Sequence, residues 1–336
     1  MKRFSFTNGK FFEFETVTVT DSKTNNSIEV ALRGANLLNY KIFKNGHYTN
    51  IIDGFTQRAD FISGNGARNF IMAPYSNKIN NCSYTFNGVT YKLDAENPGS
   101  NMRHGLVAKQ NFEIYAVNFF EEFAELTFYT NILRKKNFAG YPFDVNVFVK
   151  YKFYGNSLTV EIAGQNIGNT PAPFGAGWHA YFKTCDNGID HLQIKLDADK
   201  IVLVDNNAIP FKGEDAYSLL NDNPEIDFRS GVPAEKRIFG KNPVDVCFTE
   251  LIKPVNGFYE TVLTDSINNM ELKIFQQSGV TYVFTGDSLR YKPRASVAIE
   301  PVEFMTDAFN RPECLDKLTL KPCETKSFIF GVKVKY

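Results

Sequence analysis

Apolar and polar residues alternate with a period of two through most of this chain. Tyr84 and Phe86 lead into Asn87-Gly88, and Val89, Tyr91 and Leu93 follow on the far side. Asn-Gly adopts the positive φ values of a tight turn with little strain, so the segment predicts a β-hairpin. Val145, Val147, Val149, Tyr151 and Phe153 define a second apolar face; Gly155-Asn156 turns the chain, and Leu158, Val160 and Ile162 return. The chain ends on the same rhythm with Phe328, Phe330, Val332, Val334 and Tyr336, and shorter runs occur at Ile28/Val30/Leu32, Met270/Leu272/Ile274 and Val280/Tyr282/Phe284. Helical periodicity is nearly absent: residues 214–222 (EDAYSLLND) predict one or two helical turns, and 118–126 (NFFEEFAEL) fit either state. Many short strands between turn signals, without alternating strand–helix units, predict an all-β fold, a large antiparallel β-sandwich or barrel. No linker, low-complexity segment or clear repeat divides the sequence, and one domain over residues 1–336 is the expectation.

Composition agrees with that reading and narrows the function. Phe 32 and Tyr 16 against Trp 1 favour strands over helices. Lys+Arg 37 balance Asp+Glu 37, so no basic field draws the chain to nucleic acid or an anionic membrane. The cysteines Cys82, Cys185, Cys247, Cys314 and Cys323 are odd in number, widely spaced and never C-x-x-C, which argues against both a disulfide framework and a zinc site. The amino terminus (MKRFSFTNGKFFEFE) starts basic but lacks an apolar signal core, and no window approaches the ~20 apolar residues of a membrane span. A cytoplasmic protein is expected, either monomer or homodimer.

Phosphate-loop and nucleophile signatures are absent, and GNGARN (64–69) lacks the following helix of a dinucleotide loop and predicts a turn. Four segments combine polar or titratable residues with turn or aromatic residues: APYSNKI (73–79), NPGSNMRHGL (97–106), GWHAYF (177–182) and VAIEPVEFMTDAFN (297–310). Glu300 follows the apolar run SVAI; burial there raises a carboxyl pKa, as suits a general base or acid. His179 lies among Trp178, Tyr181 and Phe182, where burial lowers an imidazole pKa. Two groups pushed in opposite directions are what proton transfer near neutral pH requires. Each also has an ordinary structural reading: a packed core histidine, and a buried carboxylate held by an arginine or backbone donors.

These four segments, in this order, resemble the aldose 1-epimerase (galactose mutarotase) family, whose bacterial members carry motifs like P-x-x-N-[RK]-I, H-G-L, G-x-H-x-Y-F and A-I-E-P-…-D-A-F-N. Each motif alone is weak, but four in order and spacing are specific. GANLLNYKIFKNG (34–46) resembles an early sheet of that family, and LKPCETKSFIF (320–330) its closing L-x-P-G-E strand, with Cys323 where glycine is usual. The resemblance implies a large antiparallel β-sandwich with a cleft across one sheet, no cofactor or metal, and a small-molecule sugar as substrate. It implies Glu300 as the base that takes the proton of the anomeric hydroxyl and His179 as the acid that protonates the ring oxygen, the two facing each other across a sugar-sized gap. It further implies His104 as a second histidine near the ring oxygen, Asp245 as a holder of ring hydroxyls, and Asn77, Lys78 and Tyr282 as substrate contacts.

The chain departs from the family's pattern around that pair. Lys78 stands where arginine is usual and lacks its planar fork. Val246 follows Asp245 where histidine is usual, Tyr282 aligns with a glutamine, and Trp178 replaces a smaller polar residue. Trp178, Tyr181 and Phe182 are core residues by default, with Trp178 also a candidate stacking platform for a sugar face. Glu303 is expected as a supporting or solvated group, Asp307 as a turn residue, and His47 and His191 as surface or structural. The leading reading is α/β anomer interconversion of an aldose. A hexose-phosphate epimerase would need a cationic cluster, for which Lys78, Arg68 and Arg103 are available. A non-catalytic carbohydrate-binding sandwich would not need both His179 and Glu300, and a metal-dependent lyase or hydrolase would need ligand clusters that the sequence does not display.

Overall fold

The computed structural model describes residues 2–93 and 102–336. Its strands pair antiparallel in two eight-stranded sheets, a five-stranded amino-terminal sheet and three two-stranded ribbons. The first large sheet runs, edge to edge, Glu113–Phe119, Ala124–Leu133, Val145–Phe153, Ser157–Asn166, Thr325–Lys335, Met270–Gln276, Tyr259–Asp265 and Gln193–Leu196. The carboxy-terminal strand thus fills the middle of a sheet whose other strands come from earlier in the chain. In this sheet Val145, Val147, Val149, Tyr151 and Phe153 are buried while the residues between them are half-buried, as the alternation predicts.

The second large sheet runs Tyr217–Leu219, Ala198–Val202, Asp245–Leu251, Val280–Phe284, Val297–Val302, Gly177–Trp178 and Ile71–Met72, with Tyr181–Phe182 also pairing Val297–Val302. One face packs Ile201, Phe248, Val283, Val297 and Ile299 into the main core with the first sheet. The opposite face carries Val202, Cys247, Tyr282 and Val302 in a second apolar cluster. Val297–Val302 is therefore buried along its whole length, and it reads as an apolar run interrupted by Glu300 instead of an alternation.

Two segments that the sequence left loosely defined take a definite form. Residues 214–222 form two 3-10 turns, Gly213–Ala216 and Leu220–Asp222, flanking the strand Tyr217–Leu219. Pairing of that strand with Ala198–Val202 supplies the backbone partners that a helix would have supplied internally. Residues 118–126 resolve into the end of one strand, a turn closed by Phe120 N–H on the Phe123 carbonyl, and the start of the next. The hairpin Ser83–Phe86/Val89–Lys92 forms as read, with Asn87 and Gly88 both at positive φ.

Candidate active site

Three adjacent strands place a row of side chains on the free face of the second sheet. Cys247 pairs with Tyr282, and Tyr282 with Glu300, so the three lie side by side across the sheet. Two residues along, Asp245 opposes Phe284 and Phe284 opposes Ala298. With a period of two, Asp245 shares the face of Cys247 and Glu300. These residues form one wall of an open cleft of about 750 Å³, within the range of small-molecule sites. Asn77, Lys78, Arg103, His104, His179 and Thr306 line it as well.

His179 reaches the cleft because the sheet is interrupted there. Gly177 pairs with Val302, and Tyr181 and Phe182 pair with Ala298 and Val297, but nothing in register opposes Pro301 on that side, and proline offers no N–H to a ladder. The His179 backbone turns instead to the neighbouring loop: its N–H donates to the Phe70 carbonyl at 2.9 Å, and its carbonyl accepts from Asn69 N–H at 2.9 Å. His104 is set by a left-handed turn, with its own φ at 62° and its N–H donating to the Asn77 carbonyl at 2.7 Å. Gly105, at φ +76°, follows; a Cβ there would lie 2.2 Å from the Ala73 carbonyl oxygen, so only glycine fits. Asn101 and the rest of residues 97–101 of the second segment lie outside the described residues.

His179 Nε2 lies 3.4 Å from Glu300 Oε1, with the residues 7% and 5% exposed. The two groups therefore touch within one wall, which corrects the expectation of a sugar-sized gap between them. Burial, and then the negative charge of Asp245, push the Glu300 carboxyl well above its ordinary range. Burial also drives His179 down to about 4, with the charge of Arg68 adding to it. Near neutral pH both shifts favour an uncharged carboxyl beside an uncharged imidazole, so the pair holds one proton between two basic atoms. His104 packs edge-on to His179 with ring centroids 4.9 Å apart and its pKa is likewise lowered by burial. Tyr181 stacks on His179 at 5.2 Å, and the Arg68 guanidinium lies 5.2 Å over the Tyr181 ring. Arg68 is ion-paired to Asp53, which accepts from the Ser296 hydroxyl at 2.6 Å. Arg68 thus sits behind Tyr181 instead of on the cleft wall.

Asp245 is solvent-exposed as a residue, yet the cleft walls around its carboxylate raise its pKa against the pull of Lys78 and Arg103. The Lys78 ammonium is buried and donates to the Asn207 carbonyl at 2.8 Å. The Tyr282 hydroxyl accepts from Thr306 N–H at 2.8 Å and lies 2.9 Å from the Thr306 hydroxyl, so its hydrogen bonds stay within the protein. Trp178 requires correction as a sugar platform. It is fully buried, stacked on Phe330 with centroids 5.5 Å apart and edge-on to Phe182, facing the core between the sheets. Strand alternation is the reason: its neighbour in the chain is the residue that turns to the cleft.

Asp307 is structural, accepting from Asn80 N–H at 2.9 Å and the Asn310 amide at 2.7 Å. Glu303 accepts from Ala176 N–H at 2.8 Å, and burial raises it to about 7. Cys247, Thr306 and the Arg68–Asp53 pair escaped sequence reasoning; the two-residue spacing of Asp245 and Cys247 was the one available signal. Outside the cleft, Cys185, His191 and Asp265 hold potential ligand atoms within 4.8 Å of one another. The Asp265 oxygens are already engaged by the Thr184 hydroxyl and by the Asn268 N–H and amide, which makes it a turn-closing residue.

A β-sandwich of this topology, with a carboxyl–imidazole pair in a cleft on one sheet, has the galactose mutarotase-like architecture. The chain belongs to the aldose 1-epimerase family, whose model matches residues 15–332. It is 26% identical over 265 residues to the uncharacterized protein YihR of Escherichia coli K12, covering 78% of this chain and 77% of that protein. It is 24% identical over 287 residues to the aldose 1-epimerase of Streptococcus thermophilus, covering 81% and 78%. Among solved structures, a galactose mutarotase-like protein from Clostridium acetobutylicum superposes with a TM-score of 0.80 at 16% identity, covering 99% of each chain.

Proposed function

We propose that this protein interconverts the α and β anomers of an aldose by opening and reclosing its ring. The observation that carries the proposal is the buried Glu300–His179 pair, 3.4 Å apart at a cleft large enough for a sugar. In an aldose ring the anomeric hydroxyl oxygen and the ring oxygen are bonded to the same carbon. A base and an acid that serve both must therefore be neighbours, as these two are.

The chemistry balances on one proton. In the form with Glu300 ionised and His179 protonated, Glu300 takes the proton from the anomeric hydroxyl. The electron pair released forms the C1 carbonyl, the bond from C1 to the ring oxygen breaks, and that oxygen takes the proton from His179. The open aldehyde rotates about C1–C2, and the hydroxyl attacks the other carbonyl face with the proton movements reversed. The pair begins and ends with one proton, and no electrons are exchanged with a third group. In this reading His104, Asn77, Lys78 and Asp245, which line the cleft, hold substituents of the sugar away from C1.

The test is anomer exchange by NMR across a panel of aldoses, for the native protein and for Glu300→Gln and His179→Asn. The native protein should exceed the buffer rate for at least one sugar, with each variant slower by ~10²–10⁴-fold. Binding of a sugar without any rate acceleration would establish a non-catalytic carbohydrate-binding protein and defeat the proposal.

A further inference from the structure

Lys78 and Arg103 stand directly opposite each other across the two-stranded ribbon Lys78–Ile79/Met102–Arg103, and both line the cleft. Like charges in that register repel. Among the described residues, neither forms an ion pair. Lys78 is only 8% exposed, and both burial and the charge of Arg103 work against its protonation. A buried ammonium facing a second cation costs free energy unless an anion joins them.

The carboxylates near this pair do not supply that anion. Asp245 lines the same cleft, but one carboxylate faces two cations. Burial, and then the charge of Asp245, push Glu300 toward its neutral form, and it faces His179 at 3.4 Å. Asp205 attracts Lys78 from outside the lining, but its carboxylate is turned to the N–H groups of Asn207 and Ile209 at 2.8 and 2.9 Å. His104 and His179 add no negative charge. The cleft lining therefore carries an excess of positive charge, with Lys78 buried and Arg103 exposed beside it, and the buried member attracts an anion more strongly than a cation on an open surface.

Building on the proposed anomer chemistry, we infer that the preferred substrate is an aldose carrying an anionic substituent away from C1, held between Lys78 and Arg103. The substituent must be remote from C1, because C1 and the ring oxygen are needed at Glu300 and His179. Arg103 contributes a planar fork that matches the oxygens of a phosphate, sulfate or carboxylate, and Lys78 contributes a point charge.

The experiment compares kcat/KM for anomer exchange of glucose, galactose, glucose 6-phosphate, galactose 6-phosphate and glucuronate at low ionic strength, after subtraction of buffer rates. An anionic sugar should exceed its neutral counterpart by at least tenfold, and added salt should erode that preference. A phosphate preferred over glucuronate assigns the site to a tetrahedral oxyanion, and equal rates assign it to charge alone. Arg103→Gln should cut the anionic-to-neutral ratio at least fivefold, and Arg103→Lys should restore part of it. Neutral sugars turned over as well as anionic ones, or a ratio untouched by Arg103→Gln, overturns the inference while leaving the anomer chemistry intact. If no aldose is turned over, the proposed function falls instead, and calorimetric titration decides the anion site. Glucose 6-phosphate must then bind at least tenfold more tightly than glucose, and equal or absent binding overturns the inference.

Discussion

Replacing Glu300 by glutamine separates a working carboxylate from a structural one. Glutamine keeps the size and shape of the side chain and removes its ability to take a proton. In the structure Glu300 is buried with His179 Nε2 at 3.4 Å, and no lysine or arginine pairs with it among the described residues. Burial raises its pKa and favours the neutral acid. The substitution therefore exchanges one neutral hydrogen-bonding group for another, and unfolding free energy should change by less than about 1 kcal/mol. Breaking a true buried ion pair would cost about 3–5 kcal/mol. Loss of the proton acceptor should lower kcat/KM by ~10²–10⁴, equivalent to about 2.7–5.4 kcal/mol in the barrier. Anomer exchange by NMR gives the rate, and urea unfolding followed by the fluorescence of the buried Trp178 gives the stability. A variant active within threefold of the native protein, or one destabilised by 3 kcal/mol or more, refutes the reasoning.

Four further outcomes are expected. Trp178→Ala removes a fully buried indole stacked on Phe330 and should cost about 3–5 kcal/mol by circular-dichroism-monitored urea unfolding; a raised KM at unchanged stability would return Trp178 to the substrate. The pH profile of kcat/KM should hold level from neutral pH down to about 5 and fall near 4, because burial lowers His179 to about 4 and only below that does the pair take a second proton and lose its base; an acid limb near 6.5, the ordinary histidine value, would contradict the assigned environment. Arg68→Gln withdraws the positive charge behind Tyr181 and should move that acid limb upward, an outcome checked by the same profile. Cys323 holds a φ of 62° where relatives of the resembled pattern carry glycine; relief of about 1–2 kcal/mol of left-handed strain against about 0.5–1 kcal/mol of glycine entropy makes Cys323→Gly stabilising by about 0.5–1 kcal/mol in the same unfolding assay.

The legible parts of the site were those written as local patterns. Glu300 could be singled out because a carboxylate interrupts an apolar strand, and His179 because an imidazole sits among aromatics. Asp307 was readable as a turn residue from the chemistry of aspartate and asparagine alone. Arg68 illustrates the opposite case. Nothing in GNGARN announces an arginine that pairs with Asp53 and covers the Tyr181 ring, because those partners come from distant segments. The same holds for the face that Trp178 chooses: a two-residue strand is too short for a period of two to be measured.

The sequence by itself determined the antiparallel β architecture, since turn chemistry and alternation act over a few residues and need no distant partner. It also determined which residue types were available for acid–base work. Only the tertiary structure decided that Glu300 and His179 touch, that their environments leave one proton between them, and that Lys78 opposes Arg103. The Lys78–Arg103 pairing depends on strand register, and the contact of Glu300 with His179, more than a hundred positions apart, depends also on an interrupted ladder opposite Pro301. Burial, and with it each pKa and each unbalanced charge, is a property of the packed whole.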